Sequence, residues 1–199
     1  MEASRIQCGM AELSLDPKTT AVVFIDLQHG ILQRQLAPHT REQVVAAANR
    51  LADAARAAGS SVIYVHVSLG EAPAGPTDRP TPKPPEPVPA ELLELVPELH
   101  RQPEDHVLLK RQRGAFYGTD LEQMLRMRSV KTIVLGGVAT NIGVESTGRE
   151  AFDRRYAVVF AEDAMTSVSA ELHQFAVENI FPMFGRVRNT QEIVSAFQA

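Results

Sequence analysis

Apolar and polar positions follow two rhythms along this chain. Short apolar runs rich in β-branched residues occur at Thr20 to Leu27 (TAVVFIDL), Ser61 to Val67 (SVIYVHV), Val107 to Leu109, Val130 to Leu135 and Tyr156 to Ala161. The first reads as a strand buried on both faces and the others as further strands. Between them apolar residues recur at helical spacing. Val44, Val45, Ala48, Leu51, Ala52 and Ala55 line one face of a helix expected over Arg41 to Ala58, opened by Thr40 and stopped by Gly59. Thr119-Asp120-Leu121-Glu122 has capping-box spacing and predicts a helix through Met127. Further helices are expected over Asn141 to Arg154 and Ser169 to Ile180, with Pro182 beyond the second. Arg186 to Arg188 is a last short strand, and Asn189-Thr190-Gln191-Glu192 caps a C-terminal helix. Repeated strand-helix units with buried strands specify an α/β fold, a mostly parallel sheet covered by helices on both faces.

One stretch breaks the rhythm. Ten of the thirteen prolines fall between Gly70 and Pro103, interrupted by a short apolar patch at Leu92, Leu93, Leu95 and Val96. This density excludes a central strand and a long helix, so 70–103 is read as a surface excursion: a connecting loop, an oligomer arm or a substrate-covering lid. The 199 residues are most economically one domain (1–199), with 1–17 as an N-terminal extension and no internal repeat.

Composition narrows the function. The net charge is −4 and there is no basic run to follow a phosphate backbone, so no nucleic-acid partner is expected. No leader-like segment and no apolar run of about 18 residues is present, which implies a cytoplasmic protein without a membrane partner. The single cysteine, Cys8, can form neither an intrachain disulfide nor a thiolate zinc site, and none of the six histidines pairs at i, i+4 spacing. No metal and no cofactor are expected, and a small molecule is the expected partner.

Ligands of open parallel sheets bind beyond the carboxyl ends of the strands. Three polar features fall there: Asp26, Lys110 and the turn from Thr140 to Gly143. Neither Walker nor dinucleotide-binding glycine spacing occurs in GGVATNIG, and no G-x-S-x-G elbow is found. Taken together, Phe24-Ile25-Asp26-Leu27-Gln28, Leu109-Lys110-Arg111, Gly114-Ala115-Phe116-Tyr117-Gly118, Gly137-Val138-Ala139-Thr140-Asn141-Ile142-Gly143-Val144-Glu145-Ser146-Thr147 and Ala161-Glu162-Asp163-Ala164 resemble, in order and spacing, the isochorismatase-like hydrolases, also called cysteine hydrolases. The resemblance runs from about residue 18 to the C-terminus. It implies a three-layer, Rossmann-like α/β/α fold, a cis peptide between Val138 and Ala139, and an Asp-Lys-Cys triad whose first two members match Asp26 and Lys110.

At the third position this chain has Gly143. The resemblance implies that the thiolate route of the amidase members is closed, while anion-stabilising amides near Ala139 and Gly143 are retained. Isochorismatases proper also have glycine there and use the Asp as a general acid on a vinyl ether. Ala139-Thr140-Asn141, however, is more like the amidase branch. Zinc-containing nicotinamidases need an Asp and two histidines after the second strand, where His66 stands alone. Gln28, Phe116, Tyr117, Val138, Ala139, Thr140, Asn141 and Ile142 are the expected substrate-binding residues. The expected function is hydrolysis without a cysteine nucleophile, with Asp26 as general acid or base beside Lys110. The alternatives are a catalytically silent binder of small anions and a subunit that shapes a partner's site. The resemblance also implies a homodimer or higher homo-oligomer.

Overall fold

The computed structural model describes residues 13–71, 76–78 and 84–198. Six strands form one parallel sheet: β1 (Thr20–Ile25), β2 (Ser61–Val67), β3 (His106–Lys110), β4 (Thr132–Val138), β5 (Ala157–Thr166) and β6 (Arg186–Arg188), in the order β3-β2-β1-β4-β5-β6. The helices are α1 (His29–Leu32), α2 (Arg41–Ala58), α3 (Ala90–Leu93), α4 (Leu121–Met127), α5 (Glu145–Asp153), α6 (Ala170–Phe175) and α7 (Thr190–Gln198). Because the chain builds outward from β1 to β3 and then restarts at β4 on the other side, the strand order reverses between β1 and β4. A crevice opens at such a reversal.

Side chains of β1 alternate between two cores. Val22 and Phe24 pack with α2 and α7 residues such as Val44, Leu51, Ile193 and Phe197, whereas Ala21, Val23 and Ile25 pack with Leu121, Leu125, Val144 and Phe181. A strand apolar on both faces thus holds three layers together, as its sequence requires. The helix ends also follow the sequence. Thr40 Oγ1 accepts from Gln43 N (3.3 Å) while Gln43 Oε1 accepts from Thr40 N (2.8 Å), and Gly59 closes α2 at φ +86°. Asn189 and Glu192 make the same reciprocal pair, at 2.9 Å each way, before α7.

Three local expectations are corrected. The capping box at Thr119 is not formed: Thr119 donates its hydroxyl to Ala115 O (2.5 Å) and accepts from Leu121 N, and Asp120 is the N-cap without a side-chain bond. The helices expected over 141–154 and 169–180 are each part π-helical, at Thr140–Val144 and Ala176–Ile180. The strand expected to end at Ala161 continues to Thr166 through a bulge. Between the pairs Leu135↔Phe160 and Gly137↔Met165, β5 advances five residues and β4 two, leaving three extra residues around Glu162 and Asp163.

Residues 1–12 of the expected N-terminal extension, Cys8 among them, lie outside the described residues, but Leu13 and Leu15 are buried in the α2/α7 core. Residues 72–75 and 79–83 of the proline-rich stretch also lie outside. Its second half is fixed: Val96 and Leu99 are buried, and Leu95 forms an antiparallel bridge with Gln28. No described helix is long and apolar enough to cross a membrane.

Candidate functional site

The reversal point between β1 and β4 carries the polar residues. Directly after β1, Asp26 adopts φ +54°, a conformation that non-glycine residues visit rarely and Asp more readily than most. This turns its carboxylate out of the sheet ladder, while its N–H still donates to Val65 O (2.7 Å). Lys110, the last residue of β3, reaches past β2 and places Nζ 2.9 Å from Asp26 Oδ2. The ammonium also donates to the carbonyls of Gln112 (3.2 Å) and Arg113 (3.1 Å), so all three N–H groups have acceptors. It is 1% exposed. A lysine followed by Arg111 and Arg113 is usually a solvated charge; here the turn folds back to cage it.

The other wall comes from β4. Gly137 has φ +118°, and a Cβ there would lie 2.1 Å from Ile25 O, so only glycine lets β4 pass this close to the end of β1. The Val138–Ala139 peptide is cis. The backbone then enters the π turn Thr140–Val144 and α5, whose first N–H groups and dipole favour an anion. A Cβ built on Gly143 would fall 3.3 Å from Asp26 Oδ2 and 2.9 Å from Ile25 Cγ2. Gly143 O accepts from Thr147 Oγ1 (2.7 Å), which in turn accepts from Ala115 N (3.2 Å), so the turn is tied to the segment after β3. Asp26, Lys110 and position 143 therefore meet at one point.

Electrostatics at that point favour a carboxyl that can carry a proton. Burial raises Asp26 from 3.8 to about 6, against the opposing pull of the Lys110 cation, its hydrogen bond and the exposed Arg34. Asp26 Oδ1 is buried and has no hydrogen-bond partner among the described residues. One carboxyl oxygen is thus committed to Lys110 and the other is left for a ligand or a proton.

A family model described as the Isochorismatase domain matches residues 20–192. The chain belongs to the isochorismatase family. It is 45% identical over 188 residues to the isochorismatase family protein YecD of Escherichia coli O157:H7, covering 92% of this chain and 99% of that one. It is 33% identical over 215 residues to the ureidoacrylate amidohydrolase RutB of Methylobacterium radiotolerans, covering 92% and 81%. The solved structure of an isochorismatase family protein from Burkholderia thailandensis superposes with a TM-score of 0.89 at 42% identity, covering 94% of this chain and 98% of that one. The three-layer fold expected from the sequence is the fold of these isochorismatase-family neighbours.

The expected substrate-binding residues separate into groups. Val138, Ala139, Thr140, Asn141 and Ile142 form the turn beside Asp26, with Val138 and Thr140 buried and Ile142 38% exposed. Gln28 is fully buried and its amide is spent on backbone: Nε2 donates to Val67 O (3.1 Å) and Leu92 O (3.2 Å), and Oε1 accepts from Val67 N (2.7 Å). It holds the α3 segment over the end of β2. Phe116 is buried and stacks on Tyr156 at 6.0 Å beneath Arg154, while its neighbour Tyr117 is 68% exposed, so the two do not form one aromatic wall. His66 Nδ1 lies 2.8 Å from Leu93 O, a hydrogen-bonded strand histidine.

A second polar cluster lies on the far side of the turn. Glu162 Oε1 is 2.9 Å from His39 Nε2 and 3.2 Å from His173 Nε2, and His173 Nδ1 is 2.8 Å from Thr140 Oγ1. The hydrogen bond with His173, helped by His39, holds the Glu162 carboxyl down at about 2. Sequence reasoning missed this set because it sought histidine pairs on one helix. These residues come from a loop, a bulge and a helix, and only the invitation of Glu162 in AEDA could have drawn attention to it.

Proposed function

We propose that this protein is a thiol-independent hydrolase of the isochorismatase family, acting on a small anionic molecule with Asp26 as its proton donor and acceptor beside Lys110. The observation that carries this reading is the meeting of three things at one carboxyl. Oδ2 is held by Lys110 at 2.9 Å, Oδ1 has no partner among the described residues, and a Cβ built on Gly143 would fall 3.3 Å from Oδ2. Relatives named as amidohydrolases support hydrolysis as the reaction type. Lys110, Arg34 and the helix N-terminus at 140–143 support an anionic substrate.

For an enol ether, protonated Asp26 delivers its proton to the vinyl carbon, leaving an oxocarbenium ion. Water adds to that cation and returns one proton to the carboxylate, and the hemiketal collapses to a ketone and an alcohol. The acid is regenerated and no covalent enzyme intermediate is needed. Positioned acid-base groups of this kind contribute about 10²–10⁴-fold in rate.

A panel of small amides and enol ethers incubated with the purified protein, with products read by mass spectrometry, tests the proposal. Turnover is expected that falls about 10²–10⁴-fold in Asp26→Asn and is unchanged in Cys8→Ser. Turnover that survives Asp26→Asn, or is lost with Cys8→Ser, overturns it. Ligand-induced stabilisation without product would instead support a silent anion binder.

A further inference from the structure

We propose that His39, Glu162 and His173 form a binding site for a divalent transition-metal ion of the zinc class, separate from the Asp26 site and joined to it through Thr140. Two imidazoles and a carboxylate are a donor set that suits such an ion and leaves one or more positions open for water or an anionic group. The donor atoms all lie within 4.8 Å of one another, and Glu162 Oε1 is 2.9 and 3.2 Å from the two Nε2 atoms. For metal-ligand bonds of about 2.1 Å in a tetrahedron, donors stand about 3.4 Å apart. The two short separations therefore need to open by only a few tenths of an ångström, and the two imidazoles, whose donor atoms lie within 4.8 Å, to draw toward the same spacing, for an ion to take the place of the hydrogen bonds.

The outer partners fit the same reading. A metal-bound imidazole uses the lone pair of one nitrogen and donates from the other, usually to a fixed oxygen. His173 is 3% exposed and its Nδ1 faces Thr140 Oγ1 at 2.8 Å, which leaves Nε2 for the metal. The other ligands are held by the backbone. Ala37 and Ser167 exchange hydrogen bonds (2.8 and 3.1 Å), and His39 O accepts from Thr166 Oγ1 (2.8 Å), which fixes the His39 loop against the end of β5. Glu162 projects from the three-residue excess of the β5 bulge, where its strand is freed from the ladder with β4. Three separate segments thus converge on one carboxylate oxygen, to which both imidazoles are already hydrogen-bonded.

Thr140 begins the π turn that carries Gly143, so an ion here would brace the wall facing Asp26 without touching the carboxyl. Titration of EDTA-treated full-length protein with Zn²⁺ by calorimetry, and with Co²⁺ by visible absorption, tests the site directly and independently of any turnover. One equivalent per chain is expected, with Co²⁺ bands of a mixed nitrogen and oxygen site. Because His173 is buried and its replacement could unfold the chain, the decisive variants are His39→Ala and Glu162→Gln at the two more exposed positions. Each is expected to weaken Zn²⁺ by about 10-fold or more while Cys8→Ser leaves it unchanged. Absence of binding by the unaltered protein, undiminished binding by His39→Ala, or loss of binding in Cys8→Ser overturns the proposal.

Discussion

Lys110 reaches over an intervening strand to place its ammonium 2.9 Å from Asp26 Oδ2, and both groups are almost wholly shielded from solvent. Burial of a charged pair is costly unless remaining donors and acceptors are met. The lysine meets this condition through the carbonyls of Gln112 and Arg113, and the carboxylate does not, since Oδ1 has no described partner. The imbalance falls on Asp26, where it favours the protonated form.

The first prediction concerns stability against pH. Asp26 titrates at about 6 in the folded protein against 3.8 for the ordinary group, so between those values the native state binds more protons than the unfolded chain. Its contribution to stability is full below the unfolded value and is lost as pH rises through about 6, a change of about 3 kcal/mol for a shift of two units. Urea unfolding of the parent and Asp26→Asn between pH 4 and 7 should show the parent losing more stability over this range.

The second follows for turnover. If Asp26 delivers a proton first, the rate with an enol ether falls as pH rises above about 6. Initial rates across pH 4.5 to 8 read this limb directly, and a rate that instead climbs through the same pH assigns Asp26 as a base in the limiting step.

Removal of the lysine gives a third. Lys110 is the chief opposing influence on Asp26, by its charge and its hydrogen bond. Lys110→Met should therefore raise the carboxyl above about 6. Carbonyl-labelled aspartate followed by NMR across the titration measures it, and an unmoved or lowered value would contradict the pairing.

A fourth uses the glycine at position 143. Gly143→Cys places a Cβ 3.3 Å from Asp26 Oδ2 and against Ile25 Cγ2 at 2.9 Å, so the isoleucine must shift slightly. Beside the Lys110 cation and at a helix N-terminus the thiol should titrate well below about 8.5. Absorbance at 240 nm against pH, in a Cys8→Ser background, reads the thiolate; an ordinary value would mean that the Asp26 carboxylate offsets the lysine and the helix at this position.

The fifth tests a structural assignment. Gln28→Leu deletes three side-chain hydrogen bonds, two to Val67 at the end of β2 and one to Leu92 in α3, leaving those backbone groups without this partner. A loss of about 2–4 kcal/mol in denaturant unfolding is expected. Unchanged stability would return Gln28 to the role of a ligand contact.

The sheet, the α2 caps and the Asn189–Glu192 pair were legible because each rests on local periodicity or on a bond between residues three apart. Asp26, Lys110 and the Thr140 to Gly143 turn were legible as polar strand ends of an open sheet, and their roles only through resemblance, since no local rule brings positions 26, 110 and 143 together. What escaped depends on packing. The Thr119 hydroxyl chose the carbonyl of Ala115 over a cap, and no period in the sequence announces three surplus residues in β5. The His39, Glu162 and His173 cluster escaped for the same reason, because its members meet across 123 and 11 residues of chain.

The β5 bulge has one more effect. By loosening a strand from its neighbour, it lets adjacent residues serve different elements: Glu162 engages His39 and His173, while Asp163 Oδ1 receives both the N–H and the hydroxyl of Thr190 at 2.6 Å. A deletion that restored regular pairing there would uncouple the C-terminal helix and the Thr140 turn in a single step. A few misaligned peptides thus tether both the C-terminal helix and the turn that carries position 143 to a single strand.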